Sequence, residues 1–170
     1  RASADAGSER RRLLEIVTGG LLASRRVRPS ERAQEIYDLA RRYVAMRCAT
    51  FCEPSSTIGE RWEPYRTWAK KKVKSDHTVI SFNYDRVIEV AAGHNIHQVL
   101  PNDVRDLVKG DPCLLKLHGS VDWEVENDAV ARCINRRANK PYIGTPGPGK
   151  QEVSTGLEPL WKLASLRLKE

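Results

Sequence analysis

Asn83, Asp85 and His118 bring an amide, a carboxylate and an imidazole into two short pieces of this chain, Phe82-Asn83-Tyr84-Asp85 and Lys116-Leu117-His118-Gly119-Ser120. Imidazole is the side chain best suited to take a proton from a sugar hydroxyl or a water near neutral pH. The Asn83 amide offers a donor and an acceptor to a ligand hydroxyl or an attacking water. Asp85 can accept hydrogen bonds from a ribose or orient a neighbour, beside a helix start that favours a pyrophosphate. Gly119 permits close approach of a ligand or another backbone, and Ser120 adds a hydroxyl in the same turn. Each residue also has a plain structural reading: Asp85 as a helix cap, Asn83 as a turn residue, His118 as a hydrogen-bonded rim residue.

Both pieces follow apolar runs, Thr78-Val79-Ile80-Ser81 and Cys113-Leu114-Leu115. Runs this short and this rich in β-branched or aliphatic residues read as buried strands of a parallel sheet. In open α/β sheets the ligand crevice lies outside the carboxyl ends of the strands. The pattern between the motifs is a strand at His77–Phe82, a helix over Tyr84–Ala92 ended by Gly93 and a short strand at Ile96–Leu100. A turn or helix then opens at Pro101-Asn102-Asp103, and a strand at Cys113–Leu117 delivers His118. Residues 124–141 are polar and irregular in pattern, Tyr142–Thr145 reads as another short strand, and Leu157–Leu168 as a closing helix after a loop at Pro146-Gly147-Pro148-Gly149. Trp123 and Trp161 read as packing residues.

Before the first motif the periodicity is helical. One helix is expected at Arg10–Ala23 and a second from an N-cap at Ser30, with apolar positions running from Ala33 to Phe51. A third is expected at Glu60–Lys74, with Trp62, Tyr65 and Trp68–Ala69 as its stripe. The expected fold is therefore α/β: a partial Rossmann-like parallel sheet with flanking helices and a helical N-terminal half. Residues 1–75 form the helical region, an insert or lid of the same domain, and residues 76–170 the core. A start at Arg1 without Met, and a stop at Glu170 inside an amphipathic helix, suggest a core truncated at both ends.

The net charge of +7 is unevenly spread. Residues 1–75 carry 17 Lys/Arg against 9 Asp/Glu, and residues 131–170 carry 8 against 3, whereas the motif-bearing residues 76–130 carry 4 against 10. A nucleic-acid binder concentrates its positive charge where its polar machinery lies, so nucleic acid is not the expected primary ligand. No apolar stretch approaches the roughly 20 residues that span a bilayer, and no signal peptide is visible. The four cysteines lack the spacing of a disulfide framework, which points to a reducing cytoplasm. No metal is expected either. Cys48 and Cys52 have no second pair and read as core thiols, and His94-x-x-His97 lacks the glutamate of a zinc protease motif. Lys70-Lys71-Lys72 reads as a solvated helix face, and Gly147-Pro148-Gly149-Lys150 lacks the Walker spacing.

The two motifs, in their order and separation, resemble the sirtuin-like NAD-binding domains of many bacterial defence proteins. The resemblance covers residues 77–168, with Val121-Asp122-Trp123 and Leu160-Trp161-x-x-Ala164 continuing it. It implies that Asn83 and His118 are the residues on which cleavage of the nicotinamide–ribose bond depends, and that Asp85 supports binding on the nicotinamide side. It further implies NAD contacts at Tyr84, Gly119 and Ser120, with NAD as substrate. The family's Gly-rich turn for the pyrophosphate has no counterpart before residue 77, and the paired cysteine dyads of zinc-bearing deacylases are lacking. The activity so implied is that of an NAD glycohydrolase, in anti-phage defence, with a homo-oligomer or an activating protein as partner. Two alternatives stay open: a nucleotide-sensing module without turnover, and a helical protein whose basic first half docks a partner or nucleic acid.

Overall fold

The computed structural model describes residues 31–52, 59–105, 110–133, 138–145 and 150–169. The helix expected at Arg10–Ala23, the Ser30 cap and the loop at Pro146–Gly149 lie outside them. In chain order the elements are α1 (Glu31–Phe51), α2 (Glu63–Lys72), β1 (Thr78–Ser81), α3 (Val87–Ala92), β2 (His97–Gln98), β3 (Cys113–Lys116), β4 (Trp123–Glu126), β5 (Ala129–Arg132), α4 (Lys150–Gly156) and α5 (Glu158–Arg167). A 3-10 turn at Glu60–Trp62 leads into α2, and another at Gly93–Asn95 leads towards β2.

β1, β3 and β2 form a parallel sheet in that order, with Thr78 opposite Cys113, Ser81 opposite Lys116 and His97 opposite Cys113. The central strand is buried along its whole length, its apolar run Cys113-Leu114-Leu115 and Lys116 alike. Its side chains alternate between two cores. Leu114 packs with Ala69 and Val73 of the α2 end, with Ala92 and Ile96, and against Val79 and Ile88. Cys113 and Leu115 face the other way, onto Val99, Trp123, Leu157, Leu160 and Ala164, with Ile80 at the margin. Helices thus cover both faces of a parallel sheet, which is α/β layering. Each leucine buried in these cores contributes on the order of 2 kcal/mol.

α1 docks onto the segment that follows the hairpin. The Tyr37 hydroxyl lies 2.8 Å from Thr145 Oγ1, and Arg41 Nη2 donates to the carbonyls of Pro141 at 2.6 Å and Ile143 at 3.3 Å. Ala45, Val121 and Ile143 form the apolar part of this joint, flanked by Val44, Cys48 and Tyr84. Arg41→Ala removes a charged donor from two carbonyls and is expected to cost about 1.5–3 kcal/mol. A urea midpoint equal to that of the unsubstituted protein would show that the clasp is idle. Of the expected stripe before α2 and on it, Trp62 and Ala69 are buried, whereas Tyr65 and Trp68 stay exposed because they face an open cleft.

The irregular stretch expected at 124–141 is in part a β-hairpin. β4 and β5 pair antiparallel, Trp123 opposite Arg132, across a two-residue turn at Asn127 and Asp128 with φ of 50° and 62°. Positive φ at both central positions makes this the hairpin turn that Asn and Asp tolerate best after Gly. The strand expected at Tyr142–Thr145 reduces to one antiparallel bridge between Ile143 and Gly119. The closing helix expected at Leu157–Leu168 is α5, flanked by Leu157 and Leu168, and the short α4 precedes it. No described helix is long and apolar enough to cross a membrane.

Candidate functional site

Ser81 opposite Lys116 is the last paired position of β1 and β3, and Asn83 and His118 each stand two residues beyond it. Both strands run parallel, so the two motifs leave the same edge of the sheet, the carboxyl edge where such folds bind ligands. Asn83 is exposed, and its backbone N–H donates to the buried Ser81 hydroxyl at 3.2 Å. Asp85 Oδ1 accepts the Val87 N–H at 2.9 Å and so opens α3, a local turn of the kind short carboxylates favour. Asn83 and Asp85 line a cleft of about 770 Å³ between the end of α1, α2 and α3, together with Arg47, Phe51, Arg61 and Trp68.

His118 faces elsewhere. Its half-buried imidazole meets the edge of Phe82 at a centroid distance of 5.5 Å and lies 6.2 Å from Trp161. Among the described residues no group hydrogen-bonds to the His118 imidazole or to the Asn83 side-chain amide. The two residues expected to act together therefore leave adjacent strand ends but point to different surroundings, the cleft for Asn83 and an aromatic cluster for His118.

Tyr84, Gly119 and Ser120 have partners of their own. Tyr84 packs against Ala45, Val121 and Ile143, and burial pushes its hydroxyl up, with Cys48 adding to the effect. Gly119 takes φ 78°, in the left-handed region, and a Cβ there would run into the Tyr142 carbonyl. The close approach that Gly119 permits is thus that of another backbone. Ser120 is fully buried and its hydroxyl donates to Asp122 Oδ1 at 2.6 Å. Asp122 is buried as well, with Arg132 Nε at 3.1 Å and Arg86 Nε at 3.3 Å from Oδ2.

Lys116 carries no functional expectation from its type, yet it ties the motifs together. Its side chain is 1 % exposed; Nζ donates to the Asp85 carbonyl and, at 3.1 Å, to Glu89 Oε1. Glu89 Oε1 also accepts from Gln98 Nε2 at 2.9 Å. Burial pushes the Glu89 carboxyl up, against the pull of the Lys116 ammonium. A lysine inside Cys-Leu-Leu-Lys-Leu is the available signal, since a lysine within a buried strand requires an anion and acceptors. Trp161, expected to be a packing residue, is 41 % exposed and reaches the cluster around His118.

Burial also pushes the thiol of Cys48 up and that of Cys52 up to about 11, with Asp85 acting in the same direction on both. At neutral pH these thiols stay protonated, but neither is a core thiol as expected: both are half-buried, and Cys48 lines the cleft. Glu124, Glu126 and Cys133 bring one potential metal-ligating atom each within 4.8 Å of one another. Cys133 Sγ donates to Glu124 Oε2 at 3.4 Å, and the Lys140 N–H to Glu124 Oε1 at 3.2 Å, so protein groups already engage this trio. In comparisons with known proteins, no family model matches the chain and no curated protein matches it.

Proposed function

We propose that this chain carries the catalytic edge of a Rossmann-like, sirtuin-type domain that hydrolyses NAD at the nicotinamide–ribose bond. The observation that carries this reading is the position of Asn83 and His118. Their polar side-chain groups have no partner among the described residues, and each stands two residues beyond the last paired position of neighbouring parallel strands. The adjoining cleft of about 770 Å³ falls within the size range of small-molecule sites. Arg47 and Arg61 in its lining supply charge for a pyrophosphate, and Asn83 and Asp85 supply hydrogen-bonding groups for ribose hydroxyls.

The chemistry asks little more of the protein. The bond from ribose C1′ to the pyridinium nitrogen breaks with its electron pair going to nicotinamide, which leaves neutral. Charge builds on the ribose ring in an oxocarbenium-like transition state. Water forms the new bond to C1′ and its proton passes to His118, so the products are nicotinamide, ADP-ribose and one proton. Asn83, on the cleft side, orients a ribose hydroxyl, and the protein's remaining task is positioning and charge stabilisation. Depletion of NAD is how such a domain would serve anti-phage defence.

A second reading, nucleotide binding without turnover, draws on the imidazole packing against Phe82 and Trp161 while Asn83 lines the cleft. One experiment separates the two. NAD is incubated with the protein and released nicotinamide is followed by chromatography, alongside calorimetric NAD binding. Asn83→Ala and His118→Ala are each expected to slow release on the order of 100-fold or more, while NAD still binds. Persistent release in both variants would refute the assignment; binding by the unsubstituted protein without release would establish the second reading.

A further inference from the structure

We propose that Trp161 is a positioning residue of this site, holding His118 and the Asn83 strand end in one arrangement from the far helix α5. The catalytic role of His118 rests on the glycohydrolase reading; the positioning itself does not. A histidine that acts as a base is ordinarily oriented by a carboxylate or carbonyl on its second ring nitrogen. Among the described residues His118 has no such partner. Ring packing takes that place. Phe82, His118 and Trp161 close a triangle with centroid separations of 5.5, 5.8 and 6.2 Å, at tilted or edge-on angles that aromatic pairs favour.

Within the triangle Trp161 is tied by a polar bond. Its indole Nε1–H donates to the Leu117 carbonyl at 3.0 Å, the residue immediately before His118. Its ring also meets Phe82, the residue immediately before Asn83. One side chain from α5 therefore grips both motifs at the residue preceding the functional one. The tie also satisfies a carbonyl just past the paired end of β3. Pure packing does not account for its exposure: buried Trp123 fills the core at 0 % exposure, whereas Trp161 keeps 41 % of its surface in solvent.

The test uses the full chain, with Trp161→Ala, Trp161→Phe and, as a control, Leu166→Ala, which shortens an exposed residue of the same helix. Two readouts are taken: the kcat and KM of NAD hydrolysis, and the NMR position of the His118 Cε1–H proton, which neighbouring rings shift. Trp161→Ala is expected to lower kcat by about 10- to 100-fold with KM little changed. It also moves the His118 resonance towards that of an unstacked imidazole. Trp161→Phe recovers part of both, because it keeps a ring and loses the Leu117 tie, and Leu166→Ala changes neither. If the unsubstituted protein does not consume NAD, the glycohydrolase reading fails and the resonance alone decides the positioning. An unmoved resonance in Trp161→Ala, with a native circular dichroism spectrum, overturns the proposal. If that variant does not fold, Trp161→Phe decides in its place: a shifted His118 resonance supports the positioning, and an unmoved one overturns it.

Discussion

Gly119→Ala is expected to destabilise the fold by about 3–5 kcal/mol, combining left-handed backbone strain with overpacking. The residue sits at φ 78°, and the added carbon would collide with the Tyr142 carbonyl and crowd Ile143 Cα at 3.3 Å. Neither side has room to retreat. On one side Gly119 N donates to Lys116 O at 3.1 Å, and on the other Gly144 N donates to His118 O at 2.8 Å and Ser120 N to Tyr142 O at 3.2 Å. Arg41 and Tyr37 of α1 hold residues 141–145 in place from outside. Gly93 supplies the comparison: it also has positive φ, 61°, but nothing lies within 4 Å of a Cβ built there. Gly93→Ala should cost only about 1–3 kcal/mol, the strain of a sparsely populated backbone region alone. Urea midpoints followed by circular dichroism measure both. Equal costs would mean that the 141–145 segment yields and that the Gly119 contact is soft.

The sheet was legible because β1 and β3 announce themselves chemically. Val79-Ile80 and Leu114-Leu115 sit in short runs rich in β-branched or aliphatic residues, too short for a helix and of the composition of strands buried on both faces. Gly93 marked the end of α3 for an equally local reason, since it leaves the helix at positive φ. The hairpin at 123–132 escaped because half of its side chains are exposed: Glu124, Val125 and Glu126 carry little apolar periodicity, and the signal lay in Asn127-Asp128 instead. At the site, residue types identified the sheet edge but not the partners of each side chain. Ser120 and Gly119 looked available to a ligand because a sequence does not disclose that Asp122 and the Tyr142 backbone reach them first. Trp161 lies 44 residues from Leu117, and no local pattern encodes that contact. The Arg41 clasp is of the same kind, spanning 100 positions to Pro141. Local chemistry was readable wherever a residue's role depends on its chain neighbours, and it was lost wherever a distant segment decides.

Lys116→Met should cost about 3–5 kcal/mol, because it leaves the Glu89 carboxylate buried without its cation. Glu89 is 8 % exposed and would keep only the Gln98 amide as a partner for Oε1, while Oε2 already has no hydrogen bond. The same change removes a donor from the Asp85 backbone carbonyl and so loosens the backbone of the first motif. The double variant Lys116→Met/Glu89→Gln should be more stable than Lys116→Met alone, since no uncompensated charge remains in the core. The pH dependence follows from the direction of the Glu89 shift. Burial raises its folded-state value above the ordinary 4.5, so between those two values the folded protein binds more protons than the unfolded chain. Stability contributed at this residue therefore falls as pH rises through that window and levels off once the folded value is passed. Lys116 opposes the rise, so its removal pushes the folded value higher and extends the falling limb upward in pH. Urea midpoints taken from about pH 4.5 to pH 8 should accordingly fall over a wider range in Lys116→Met than in the unsubstituted protein, and the double variant should lack this limb altogether. A Lys116→Met profile parallel to that of the unsubstituted protein would mean that the ammonium does not govern the Glu89 carboxylate, and that the buried tie between the two motifs is held by the Asp85 carbonyl alone.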